Sequence, residues 1–298
     1  MVFNKNTLSK IALGSVQFGV DYGINSLNGK LDTRDVKDIL EYAYSQNIDL
    51  LDTAPSYEKS ENILGDADIQ NFKVVTKTRV FSNPLIGTYE VNLIKKDFFN
   101  SLKNLKKESV YGVLVHNADD LMKPGGQKIF EQLVALKQDK KIEKIGVSVY
   151  DNNQLKLVIT NFDIDLVQLP YNIFDRRMVD NGMLLLLQTR GIEVHARSVF
   201  LQGLLLMTEQ NRPSKFKDWN ALWRIWHEWL NDNKITALEA TIRHAIFTPE
   251  ISKVLVGVDS LVQLKEIISA SDGFLPNIPK ELNSDDINLL NPSNWGKL

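Results

Sequence analysis

The sequence predicts an α/β protein built as a single (β/α)8 barrel. Three observations carry that prediction. Short apolar runs alternate with longer segments of helical period along the whole chain, the rhythm of βα units around a parallel sheet. The runs are mostly apolar rather than alternating, as expected for parallel strands covered on both faces. About eight such runs occur, the number that a closed barrel requires. No GxGxxG follows the first of them, which counts against a doubly wound nucleotide-binding sheet.

The strands are read in order as KIALG from Lys10, IDLLDT from Ile48, KVVTKT from Lys73 and VYGVLVHN from Val110. They continue as EKIGVSVY from Glu143, IDLVQLP from Ile164, GIEVHARS from Gly191 and KVLVGVDS from Lys253. Between them, Val36, Ile39, Leu40 and Ala43 form one apolar helical stripe, and Ile129, Phe130, Leu133, Val134 and Leu136 another. Asn47 and Gly191 stand between a helix and the next strand, where a left-handed residue ends the helix. Ser260 with Gln263 three residues on is a capping box opening the last barrel helix. The lysines at 95, 96, 103, 106 and 107 flank Phe98, Leu102 and Leu105 and form a solvated helix face.

One domain is expected over residues 1–298, with a long segment at about 204–251 between the seventh and eighth strands and a tail at about 276–298. The long segment carries Trp219, Trp223, Trp226 and Trp229 at a spacing that puts them along one helix face. Packing against the barrel is the favoured reading of that face, and a substrate-stacking wall is the alternative. The tail is polar and punctuated by prolines, and is expected to cross the barrel mouth. Trp219, Trp223, Phe81 and Trp295 are the aromatics placed to line a pocket there.

Composition removes whole classes of chemistry. There are no cysteines, hence no disulfide scaffold, thiolate nucleophile, thiolate zinc site or iron–sulfur cluster. The four histidines, His116, His195, His227 and His244, share no metal-binding spacing, so no metal is expected. A net charge of −2 gives no electrostatic case for nucleic acid. No apolar run approaches the ~20 residues of a membrane span, and the opening MVFNKNTLSKIALG is no signal peptide. A cytoplasmic location is the expectation, with a small molecule as the partner.

In a barrel, chemistry stands at the C-terminal ends of strands. Asp52 ends the second strand, Tyr57 follows in its loop, Lys77 ends the third strand and His116 the fourth. An acid, a phenol, an amine and an imidazole on one rim suit proton delivery to a developing alkoxide. A phenol of pKa ~10 is a weak acid at neutral pH, and an adjacent ammonium makes it a stronger one. Asp52 keeps that ammonium placed and charged, and His116 donates to the reacting oxygen. Singly, Asp52 and Lys77 read equally well as a buried ion pair, and His116 as a core histidine.

With these residues in place, the sequence resembles the aldo-keto reductase family over nearly its whole length. LDTAPSYEKSE (51–61) is similar to the signature that carries the family's aspartate and tyrosine. VVTKT (74–78) resembles the strand that bears its lysine, and VLVHN (113–117) the segment that bears its histidine. GVSVY, VQLPYN and RSVFLQGLL follow in family order. The resemblance implies a catalytic tetrad of Asp52, Tyr57, Lys77 and His116, and hydride transfer from a reduced nicotinamide cofactor to a small aldehyde or ketone, sugar-type carbonyls included.

It also implies cofactor contacts at Gly14 and Ser15 in the first loop, and at Ser148 and Gln168 around the nicotinamide, beside Asp52. Ser198, Phe200, Gln202 and Gly203 would surround the pyrophosphate, and Gly257, Asp259, Gln263 and Glu266 the adenosine. Arg197 stands where the family has an aromatic that stacks on the nicotinamide, and its charge makes the oxidised ring less welcome. Glu58 replaces a glycine, Val149 an asparagine and Ile267 an adenine-contacting asparagine. NADP(H) is the family default. Asp259 and Gln263 stand where a basic residue meets the 2′-phosphate, so NAD(H) use is the expectation that the departures add, with Lys253 or Lys265 as the residues able to restore the phosphate contact. A Schiff-base lyase using Lys77 and a cofactor-sensing regulatory protein are the alternative functions.

Overall fold

The computed structural model describes residues 8–19 and 31–297; residues 1–7, 20–30 and 298 of the expected domain lie outside them. The eight strands close into a parallel barrel in sequence order. They are β1 (Ile11–Gly14), β2 (Leu50–Asp52), β3 (Lys73–Lys77), β4 (Val110–Val115), β5 (Ile142–Ser148), β6 (Leu166–Pro170), β7 (Glu193–Arg197) and β8 (Lys253–Gly257). Each lies within the apolar run that the sequence marks, except that β5 begins one residue earlier, at Ile142.

The helices between strands are α1 (Thr33–Ser45), α2 (Ser60–Asp66), α3 (Thr88–Leu105), α4 (Gln127–Gln138), α5 (Asn152–Asn161) and α6 (Met183–Thr189). After β7 come α7 (Asn220–Asn233) and α8 (Ala237–Phe247), and α9 (Leu261–Ala270) follows β8. Local chemistry sets their ends. Asp32 and Asp151 cap α1 and α5 by accepting backbone N–H bonds from the first turn. Asn47 and Gly191 adopt φ of 63° and 69°, the left-handed turn expected before β2 and β7. At α9 the expected capping box is only half made. Ser260 accepts from Gln263 N–H, but the Gln263 side chain accepts from Asp259 N–H instead of returning to Ser260.

The strand period of two decides what faces the barrel axis. Ala12, Leu50, Val75, Leu114, Leu166 and Leu255 form an apolar cluster of their own, separate from the large core between strands and helices. Two residues further along the same strands stand Gly14, Asp52, Lys77, His116, Gln168 and Gly257. The same parity that fills the barrel interior therefore delivers the polar rim. Register aligns the strand ends: Gly14 pairs with Asp52 and Gly257, and Ser148 with Gln168. At the opposite end, Glu193 joins Lys144, His195 and the Tyr111 hydroxyl in a polar floor.

A second core lies outside the barrel. Trp223, Trp226 and Trp229 on α7 pack with Phe174, Leu204, Leu205 and the tail residues Leu282, Leu289, Leu290 and Trp295. Trp219 belongs to the preceding turn rather than to the helix. Each buried tryptophan removes about 150–250 Å² from water, roughly 4–6 kcal/mol of transfer free energy. The tail therefore packs onto α7, where its leucines and Trp295 are buried, and contributes no residue to the lining of the cleft. The substrate-wall reading of the tryptophans is corrected with it: none lines the cleft below, and neither do Phe81 or Trp295. Trp226 Nε1 donates to Leu205 O, so this core supports the segment after β7 from behind.

Candidate active site

A cleft of about 530 Å³ opens at the C-terminal ends of the strands, well within the size of small-molecule sites. Asp52, Tyr57, Lys77 and His116 line one end of it. Lys77 Nζ donates to Asp52 Oδ1 at 2.5 Å and to Thr53 O at 3.0 Å, and also bonds the Tyr57 side chain. Its ammonium lies 5.1 Å from the Tyr57 ring centroid. Burial penalises the Lys77 charge, but the Asp52 carboxylate and Tyr57 outweigh it, and the net shift is upward. A lysine so held is a cation and not a free amine, which sets aside the Schiff-base alternative.

Gln168 Nε2 donates to Asp52 Oδ2 at 2.8 Å, so both oxygens of that carboxylate are engaged. The His116 ring meets Tyr57 edge-on with centroids 6.3 Å apart, and its buried Nδ1 has no partner. Desolvation, with the nearby Lys77 charge second, lowers the His116 pKa to about 4. The imidazole is neutral at physiological pH, and His116 enters the chemistry as a hydrogen-bonding group.

Of the residues expected to hold a cofactor, all but Ser15 line this cleft. Ser15 is fully buried, and its hydroxyl accepts from Ser60 Oγ at 2.7 Å, so its side chain faces the start of α2 instead. Sequence reading missed Gln17, Tyr150 and Leu238, which do line it. Tyr150 had a signal: it continues the inward parity of Gly146 and Ser148. Gln17 sits on a short turn of helix after β1 and Leu238 follows the Thr236 cap of α8, and no periodicity marks either.

The residues present fit a dinucleotide. The buried Gln17 Oε1 lacks a partner, and Gly257 leaves the room that Gln17 occupies, since a Cβ there would meet its amide at 2.0 Å. Along the segment after β7, Ser198, Leu201, Gln202 and Gly203 take φ of 59°, 48°, 53° and 88°. Such turns gather backbone N–H groups into concavities for anions. At the far end of the cleft stand Asp259, Gln263 and Glu266. Burial raises the Asp259 pKa. Lys253 and Lys265 are elsewhere: Lys253 Nζ bonds Ser9 O and Asp49 Oδ1 at the barrel floor, and Lys265 lies over the Tyr42 ring.

A closed (β/α)8 barrel with an acid, a phenol, an ammonium and a neutral imidazole around one end of a dinucleotide-sized cleft is a barrel oxidoreductase. A profile of the aldo/keto reductase family matches residues 10–278, and the chain belongs to that family. It is thus an NAD(P)H-dependent enzyme that reduces small carbonyl compounds. The chain is 28% identical over 222 residues to the NADH-specific methylglyoxal reductase of Escherichia coli (strain K12), covering 68% of this chain and 67% of that one. It is 29% identical over 182 residues to the aldo-keto reductase YhdN of Bacillus subtilis (strain 168), covering 58% and 53%. The fold is shared with the holo form of aldo-keto reductase AKR11C1 from Bacillus halodurans, with a TM-score of 0.69 and 20% identity over 90% of this chain and 88% of that one. Among the described residues no helix is long and apolar enough to cross a membrane, and no group of acidic and histidine side chains is arranged to hold a metal ion.

Proposed function

We propose that this barrel, as one catalytic unit, reduces a small aldehyde or ketone with NADH, using Tyr57 as the proton donor. When bound, the reduced nicotinamide supplies the hydride. The chain does the rest. Tyr57 delivers its proton to the carbonyl oxygen, and Lys77 stabilises the phenolate that remains. Asp52 and Gln168 keep Lys77 charged and in place. Neutral His116 orients the carbonyl through a hydrogen bond that strengthens as charge builds on oxygen. Substitution of Tyr57 by Phe is expected to lower kcat by about 10²–10⁴ while leaving cofactor affinity near that of the wild type. Full turnover in that variant would sink the assignment.

The distribution of charge in the cleft carries the cofactor reading. Its basic lining groups, Lys77, His116 and Arg197, all stand at the tetrad end, and the other end holds Asp259 and Glu266 with no lining cation among the described residues. A carboxylate accepts bonds from a free ribose 2′-hydroxyl and repels a 2′-phosphate. The engagement of Lys253 and Lys265 elsewhere supports the same reading. Dissociation constants of NADH and NADPH decide it, with NADH expected to bind tighter. Tight binding of NADPH alone refutes it. The intact acid–base set favours catalysis over a purely cofactor-sensing role.

A further inference from the structure

The tetrad end of the cleft carries one positive charge more than its acid–base chemistry uses. Asp52 and Lys77 cancel as a contact pair. Burial keeps His116 neutral, with its pKa at about 4. Arg197 remains, and a guanidinium stays charged at any working pH. Its place is fixed from two sides. Nη2 donates to Val149 O at 3.1 Å, and the guanidinium carbon lies 4.4 Å from the centroid of the Tyr150 ring. Arg197 and Tyr150 both line the cleft, at the ends of β7 and β5. Among the described residues Arg197 forms no ion pair, and it is the one arginine among the residues lining the cleft.

We propose that Arg197 sets the redox selectivity of the bound cofactor, favouring the neutral reduced nicotinamide over the cationic oxidised one. The inference rests on the reading that the nicotinamide lies at the tetrad end of this cleft. Delivery of a hydride to the carbonyl carbon, with the Tyr57 proton going to its oxygen, converts a neutral ring into a cation. A carbon that accepts hydride while its oxygen meets Tyr57 places that ring beside the same wall as Arg197. Two cations a few ångströms apart in a partly desolvated cleft repel far more than they would in water. The arginine therefore binds the reactant form, weakens the product form and biases the site towards reduction and release. Nothing in proton delivery calls for this charge, and the Tyr150 stack keeps it from swinging away.

The test is the ratio of two dissociation constants, so a packing loss common to both cofactor forms cancels. NADH binding is followed by its own fluorescence, and NAD⁺ binding by displacement of NADH, in wild type, Arg197→Met and Arg197→Lys at one ionic strength. The wild type is expected to bind NADH about tenfold or more tighter than NAD⁺, a difference of about 1.4 kcal/mol per tenfold. Arg197→Met should reduce that ratio by about fivefold or more, and Arg197→Lys should keep most of it, since the charge remains. Arg197→Gln serves where Arg197→Met does not fold, as judged by circular dichroism. An unchanged ratio in the neutral variants, or a loss in Arg197→Lys equal to theirs, overturns the inference. Failure of the wild type to bind either NADH or NADPH overturns the reading of the cleft itself.

Discussion

The Asp52–Lys77 pair is the most exacting place to perturb this molecule. Its side chains are 6% and 1% exposed and meet at 2.5 Å. At an effective dielectric of about 20 their gross attraction is about 7 kcal/mol, set against a desolvation cost of several kcal/mol for each ion. Removing one partner leaves the other buried and uncompensated. Asp52→Asn and Lys77→Met should each cost about 3–5 kcal/mol, roughly 5–8 °C of thermal midpoint for a chain of this size. The double variant buries neither charge. It should therefore be destabilised by much less than the sum, with a coupling energy of about 2 kcal/mol or more. Urea unfolding of the four proteins at pH 7 completes the cycle. Additive losses, with coupling below about 0.5 kcal/mol, would refute the account of the pair as mutually dependent buried ions.

Three further perturbations test other parts of the site. His116 has a folded pKa of about 4 against the ordinary imidazole value of 6.5, so the unfolded chain binds the proton first. Its share of stability, about 3 kcal/mol, is present above pH 6.5 and is lost as pH falls towards 4. Urea midpoints for wild type and His116→Gln across that window measure the share, and kcat/KM should show no break near 6.5 from this group. Glu58 is exposed and held at φ 46°, where the family has glycine. Glu58→Gly should raise stability by up to about 1 kcal/mol, read as a higher thermal midpoint; a lower one would mean that the Glu58 contacts outweigh the backbone strain. Asp259→Lys should tighten NADPH binding about tenfold or more, and an unchanged dissociation constant would remove Asp259 from the phosphate end.

The two ends of the cleft differ in how local their determinants are. The tetrad stands at or just beyond the strand ends, and strand ends are visible as the close of apolar runs. Parity then carries each side chain inward, so Asp52, Lys77 and His116 were legible from position alone. Parity also argued against Ser15, which falls one residue past the inward Gly14 and points outward to Ser60 at the start of α2. It argued for Tyr150, which continues the inward series of β5. The half-made capping box is a different case. Gln263 has two backbone N–H groups within reach, and only the folded turn decides that it serves Asp259.

The amino-acid pattern by itself determined the barrel, its strand order and the acid–base rim, because all three follow from periodicity along one strand at a time. What only tertiary structure decided depends on where distant segments pack. The tail and the tryptophans form a second core behind the segment after β7 because their apolar surface has no other place to be buried. Lys253 and Lys265 are drawn to the floor and to Tyr42, away from the adenosine end. Arg197 becomes the uncompensated charge of the active site only when β5 brings Tyr150 and the Val149 carbonyl against it. A residue's charge is written in the sequence, but whether that charge is cancelled depends on its neighbours in space.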